Sequence, residues 1–275
     1  MALQPYASPA ERIWYYAIRI FCVGVLLGLV LPIFVIIPIS FTSDTMLSYP
    51  MPGLSLRWFI EFFNSVMWTL SMKNSFIIAF ATTFLATALG TLAALGLTMA
   101  DFPFKGVITG IMIMPMVVPI VISAVGIYFF YAWIGLTSTY IGMILAHTAL
   151  ATPFVVITVT ATLQGFNRNQ IRAGASLGAS PAIVFFKITL PQILPGVISG
   201  ALFAFVTSFD EVIVALFIAG SEQYTLPRQM FAGIREKYNP TIAAVATMMI
   251  IVSILLLVTV ELLRRRSERL RGITQ

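Results

Sequence analysis

From Trp14 to Phe41 the chain runs about 28 residues with one charge, Arg19, near its start. A helix needs roughly 20 apolar residues to cross the hydrocarbon core of a bilayer. The core of a signal peptide is much shorter, and no convincing cleavage site follows, so this run reads as a retained span. Five more runs of the kind lie at about 74–100, 105–133, 138–162, 192–219 and 241–263. Six spans in 275 residues make one all-α membrane domain. Composition agrees: 59% of residues are hydrophobic and 9% charged, and mean hydropathy is +0.98, against roughly a quarter charged in soluble domains.

Orientation follows from the cations. With the N-terminus inside, eleven of the sixteen Lys and Arg residues fall in inner segments: Arg12, Arg19, Lys105, Arg168, Arg172, Lys187 and five in the tail, Arg264 to Arg271. Five fall outside: Arg57, Lys73, Arg228, Arg235 and Lys237. That bias places both termini in the cytoplasm. The segments are then a cytoplasmic N-terminus, 1–13; a first span, 14–41; an external loop, 42–73; and a basic cytoplasmic tail, 264–275. The net charge of +6 belongs to topology, so no nucleic-acid partner is expected.

Little in the sequence suggests catalysis. There is no Walker-type phosphate loop, no Gly-x-Ser-x-Gly and no His-Glu-x-x-His. His147, the only histidine, has no ligand partners at metal-binding spacing and reads as a hydrogen-bonded packing residue. No metal or cofactor is expected. Cys22, the only cysteine, can form no intrachain disulfide and reads as packing. The second span carries small residues throughout, including Ala79, Ala86, Gly90, Ala94 and Gly96, which let helices approach closely. Gly-x-x-x-Gly spacings elsewhere are too common to carry weight. Pro115 and Pro119 predict a kink or a broken helix in the third span. In the external loop, Leu56 to Met67 is amphipathic, either an interfacial helix or a docking surface for an extracytoplasmic protein.

Two polar features remain. Gln170 to Pro191 is the longest stretch written for water or a partner surface. It predicts two short helices: Ile171 to Leu177, stopped by Gly178 in a left-handed turn, then Pro181 to about Leu190 behind a Ser180 cap, ending near Pro191. The second feature is Ser208-Phe209-Asp210-Glu211, inside the fifth span. An acid at a helix centre costs roughly 2.5–3.5 kcal/mol on insertion scales, so a consecutive pair needs a reason. Helical geometry predicts that the two carboxylates diverge by about 100°, Glu211 with Thr207 and Ser208, Asp210 with Phe203 and Val214. Either the acids line a water-filled substrate path, with Thr207 and Phe203 beside them, or they hold structure by pairing with a neighbouring subunit or with backbone amides.

The polar stretch resembles the EAA loop of membrane subunits of ATP-binding-cassette importers. Gly178 is followed after nine residues by Ile188-Thr189-Leu190-Pro191, as in that motif. The Glu-Ala-Ala triplet is matched only at Ala173, with Arg172 in place of the acid and Gly174 in place of the second alanine. Ser-Phe-Asp-Glu-Val at 208–212, Thr-Leu-Pro-x-Gln-Met at 225–230 and Gly-Ile-Arg at 233–235 are similar to the PotC-type permeases of spermidine/putrescine importers. The resemblance implies a type I importer fold, with a permease core over 69–262 and a coupling loop over 163–191. It implies a heterodimer with a second homologous permease, two cytoplasmic ATP-binding subunits and an extracytoplasmic substrate-binding protein. It assigns ATPase coupling to Arg172, Ala173, Gly174, Leu177, Gly178, Ala179, Ser180, Ile188, Leu190 and Pro191, and a small cationic amine as substrate. Similar permeases carry amino acids or opines, aminophosphonates or iron complexes. The rivals from other classes are an intramembrane enzyme using Asp210 and Glu211, which lacks a nucleophile or metal set, and a self-contained channel or carrier.

Overall fold

The computed structural model describes the backbone of residues 8–236 and 239–270, and their side chains except at 236, 260 and 263–270. Lys237, the ends of the expected 1–13 and 264–275 segments, and the tail arginine side chains lie outside the described residues. Five helices are long and apolar enough to cross a membrane, or six if one sharply bent pair counts as a single span.

Helix α1 (Pro9–Ile39) starts on a capping box. Glu11 N–H donates to Ser8 Oγ at 3.3 Å, and Ser8 N–H donates to Glu11 Oε2 at 2.7 Å, so two N-terminal amides are satisfied reciprocally. No residue of α1 is buried, and it touches the rest of the chain chiefly at the last helix. Cys22 is exposed, which corrects its reading as packing. After α1 the chain turns through Asp44, whose carboxylate accepts from Ser48 Oγ at 2.8 Å and Thr45 N–H at 2.6 Å. These bonds, the Ser48 one foremost, hold the Asp44 carboxyl below its usual range. The amphipathic segment is α2 (Arg57–Asn64), which buries Trp58 and Phe62; Trp58 Nε1 donates to Thr42 O at 2.9 Å.

Three helices form the core: α3 (Val66–Met99), α6 (Tyr140–Gln164) and α9 (Leu190–Phe209). On α3 the small residues Ala79, Ala86, Gly90 and Ala94 form one buried stripe, while Ala88 and Gly96 face out. A Cβ on Gly90 would stand 2.6 Å from Val155 Cβ. On α9 a Cβ at Gly196 would collide with Thr162, and one at Gly200 would lie 2.6 Å from Thr158 Oγ1. Gly196 and Gly200 are therefore a real crossing contact with α6, correcting the view that such spacings say nothing here. Without a hydrophobic drive between helices in lipid, close backbone approach is what holds them.

The third span breaks. Helices α4 (Lys105–Val117) and α5 (Ile120–Ile134) meet at 105°. Pro119 excludes the helical region for the residue before it, and Val118 is extended (φ −70°, ψ 132°). Pro115 is accommodated inside α4. Helices α7 (Asn169–Ser176) and α8 (Pro181–Val184) form the polar stretch, α10 (Ile213–Ile218) follows the acids, and α11 (Leu226–Glu236) and α12 (Thr241–Leu270) end the fold. The segment before α11 is pinned to α3. Asn74 Nδ2 donates to Glu222 O (2.8 Å) and Tyr224 O (3.0 Å), Tyr140 Oη donates to Asn74 Oδ1 (2.9 Å), and Leu226 N–H donates to Ser75 Oγ (2.7 Å).

Candidate functional site: a coupling segment and a cavity at two helix breaks

The polar stretch folds as its punctuation dictates, up to a point. Helix α7 closes with Gly178 at φ +81°. Ala179 N–H donates to Gly174 O (3.1 Å) and Gly178 N–H to Ala175 O (2.9 Å), the paired bonds of a Schellman stop. Ser180 Oγ then accepts from Ile183 N–H at 3.4 Å, with Pro181 in the first turn. Gly174, out of step with the EAA triplet, has a packing reason: a Cβ there would lie 2.7 Å from Ile188 Cδ1 and 3.4 Å from Val184 Cγ2. It is the one buried residue of α7. Arg172, Ala173 and Ser180 are exposed, and Leu177 is 88% exposed. An apolar side chain held so far into solvent at a rigid corner is a feature that wants a partner surface. Behind the segment lies an apolar cavity of about 440 Å³ against the end of α3, lined by residues that include Leu95, Met99, Ile171, Ala179 and Phe185. Arg168 Nη2 bridges the same gap by donating to Thr98 O at 2.5 Å.

The second short helix does not end near Pro191. It widens into a π-turn over Phe185–Thr189 and continues without interruption into α9, so that 181–209 is one 29-residue rod. Leu190 N–H donates to Phe185 O, five residues back. Pro191 has no N–H to give and would crowd the carbonyl four residues before it. A wide turn just upstream absorbs both problems. Ile188, Leu190 and Pro191 thus belong to the shaft that joins the coupling corner to the membrane core.

The acids also differ from expectation. The helix stops at Phe209; Asp210 is its cap (φ −94°, ψ −1°), and α10 begins at Ile213. The helical faces foreseen for Asp210 and Glu211 therefore do not exist. Breaking the helix frees backbone donors, and Glu211 Oε1 takes one, accepting from Val214 N–H at 2.8 Å. A charge-assisted bond of this kind offsets part of the desolvation cost of a buried carboxylate. Glu211 is only 8% exposed, whereas Asp210 is exposed. The adjacent Ser208 Oγ sits 2.9 Å from His147 Nδ1, so the lone histidine is a buried, hydrogen-bonded residue.

The two helix breaks meet. Pro115 to Ile120 from the third span, Leu150 and Phe154 from α6, and Thr207 and Glu211 from the fifth span line one cavity of about 390 Å³. Phe203 stacks on Phe154, with ring centroids 6.1 Å apart at 23°, without itself lining the cavity. Thr207 and Glu211 are thus gathered at one place, and Asp210 lies at the same break without lining the cavity. Phe154 and Leu150 were not legible as site residues; nothing in an apolar stretch of α6 marks them. The cavity wall holds a carboxylate, a hydroxyl and an aromatic ring and no cationic side chain, a set suited to an organic cation.

Comparison with known proteins agrees. The family described as binding-protein-dependent transport system inner membrane component matches residues 86–271. The spermidine/putrescine transport system permease protein PotC of Haemophilus influenzae is 32% identical over 87% of this chain and 93% of its own. The putrescine transport system permease protein PotI of Escherichia coli K12 is 31% identical over 80% of each chain. In fold, the chain is similar to one from a bacterial ABC transporter involved in the import of the acidic polysaccharide alginate (TM-score 0.74, 15% identity, 94% of this chain and 99% of that one). From the polar corner to the paired breaks, sequence and fold lead to one assignment: the chain belongs to the binding-protein-dependent transport system inner membrane component family, as a multi-pass inner-membrane permease subunit of an ABC importer.

Proposed function

We propose that this subunit forms half of a path for a small organic polycation, spermidine or putrescine, and that the corner at Gly178 couples the path to ATP hydrolysis in partner subunits. The relatives PotC and PotI, named for transport of these amines, support the substrate. The observation that carries the reading is the cavity at the coincident breaks, with Glu211, Thr207 and Phe154 in its wall and no base. Amino acids, opines and aminophosphonates bring an anionic group that such a wall repels. An amine with methylene links between its charges meets both the Glu211 carboxylate and the apolar lining. Asp210, exposed at the break, is the acid available to a passing ammonium.

In this reading both termini are cytoplasmic, and a second homologous permease completes the path as a heterodimer. Two ATP-binding subunits receive Ala173 and Leu177, and an extracytoplasmic binding protein delivers cargo. The chain hydrolyses nothing itself. ATP-driven approach of the two motor subunits pushes on the corner, and the 181–209 rod carries the push to the breaks. The test is uptake of labelled spermidine by the reconstituted complex. Asp210→Asn is expected to raise the KM about tenfold, the scale of one lost charge contact at ~1.4 kcal/mol. An unchanged KM, or loss of complex assembly, would refute the amine path through this acid.

A further inference from the structure

Glu211 and Arg228 stand at opposite ends of α10, and neither has an oppositely charged side chain within ion-pair distance among the described residues. Glu211 takes Val214 N–H at the start of the helix. At its other end Arg228 Nε donates to Ala215 O at 3.0 Å and Nη2 to Ala219 O at 3.5 Å. The guanidinium is itself fixed by the Tyr224 ring, 3.3 Å from the centroid. A six-residue helix has almost no internal ladder, so these outside bonds and its packing decide whether it stays formed. That packing is specific: Val214, Ala215 and Ile218 are buried with Ala124 and Tyr131 of α5 and Met143 of α6. Ser138 N–H donates to Ile218 O at 2.8 Å, tying the far end to the loop after α5. Helix α10 thus braces the distal half of the broken span against the core, directly beyond the cavity.

We propose that Glu211 and Arg228 are positioning residues that together hold α10 as a catch on the broken third span, and that cargo releases the catch by drawing the Glu211 carboxylate off Val214. The proposal rests on the reading of the cavity as an amine path. It divides the labour of the two acids. Asp210 meets the cation, while Glu211 senses it, because a carboxylate that lines the cavity cannot keep its full bond to α10 once an ammonium sits beside it. Arg228, outside the cavity, makes the other end of the helix dependent on the 220–226 segment that Asn74 and Tyr140 pin to the core.

The experiment uses the whole complex in proteoliposomes, with spermidine as probe. It measures uptake, KM and the ratio of ATP hydrolysis with spermidine-loaded binding protein to hydrolysis without it. Glu211→Ala and Arg228→Ala are each expected to reduce that ratio about tenfold, the equivalent of one charged hydrogen bond, through a rise in cargo-independent hydrolysis. The double variant is expected to be no worse than either single one. Glu211→Gln keeps an acceptor oxygen for Val214 but offers an ammonium no charge to draw on, so it is expected to keep cargo-independent hydrolysis at the wild-type level while losing most of the stimulation by loaded binding protein. Arg228→Lys keeps charge without the two-pronged donor and is expected to rescue little. If the alanine variants fail to assemble with their partners, the Gln and Lys variants still decide. Cargo-independent hydrolysis as high in Glu211→Gln as in Glu211→Ala overturns the proposal, because the bond to Val214 would then not be what holds α10; so does a normal ratio in Arg228→Lys or Arg228→Ala. Failure of the amine path shows separately, as an unchanged KM in Asp210→Asn while the catch variants still lose the ratio.

Discussion

Helical hydrogen bonding departs from the ordinary pattern in two regions, and in opposite ways. At Phe185–Thr189 the helix widens but never stops, and the rod runs on from the corner at Gly178 to Phe209. At Val118–Pro119 and at Asp210–Val212 it stops outright, and a new helix begins at an angle or with its own caps. A widened turn keeps the axis continuous, because Leu190 N–H still finds a backbone acceptor at Phe185 O. A true break concentrates bending in one or two residues. In the proposed function, continuity at the corner and breaks at the cavity are what would let a push on one end become a rearrangement at the other.

The largest expected effect tests the rigid region at its head. Gly178 has φ +81° with open space around it, so a β-branched residue meets no neighbour and fails on backbone conformation alone. Gly178→Val is expected to cut uptake by more than tenfold while the chain remains in the membrane at normal levels. Wild-type uptake would remove the corner from coupling. A smaller effect tests the shaft. Phe186 and Lys187 are exposed, and replacing both with glycine costs about 1 kcal/mol each in helix propensity. That change is expected to lower uptake roughly fivefold and to raise ATP hydrolysis per molecule carried; stoichiometric hydrolysis would show that the shaft need not be stiff. The smallest effect belongs to the compliant region. Pro119→Ala restores a donor and lifts the restriction on Val118, but the 105° bend is also held by α10 packed on α5. A two- to threefold fall in uptake rate is expected on this scale, and a complete loss would mean that Pro119 alone sets the bend.

Local chemistry was readable wherever a residue's backbone preference had no competitor. Gly178, Ser180, Pro181 and Pro119 did what their own geometry requires, and five of the six expected spans are single long helices, the remaining one a pair bent by 105°. Two readings failed where distant contacts overrode local rules. Pro191 by its own chemistry favours a stop, yet the packing of Gly174 against Ile188 and of Ile193 in the core keeps the helix going through it. The apolar run around Asp210 and Glu211 predicts an unbroken helix, but a buried carboxylate gains more from free backbone donors than an intact helix can offer. The cavity's Phe154 and the contacts of Gly196 and Gly200 with Thr162 and Thr158 were invisible for a related reason. In an apolar sequence, which face of a helix meets which neighbour is a property of the assembled bundle.

Helix α1 has no buried residue and leans chiefly on α12. A segment that needs no neighbour to be stable in lipid can settle as soon as it leaves the ribosome, before any later helix has been made. Its self-sufficient cap and long greasy body suit it to enter a bilayer first, while α3, α6 and α9, whose close crossings at Gly90, Gly196 and Gly200 have no value until they touch, wait for one another.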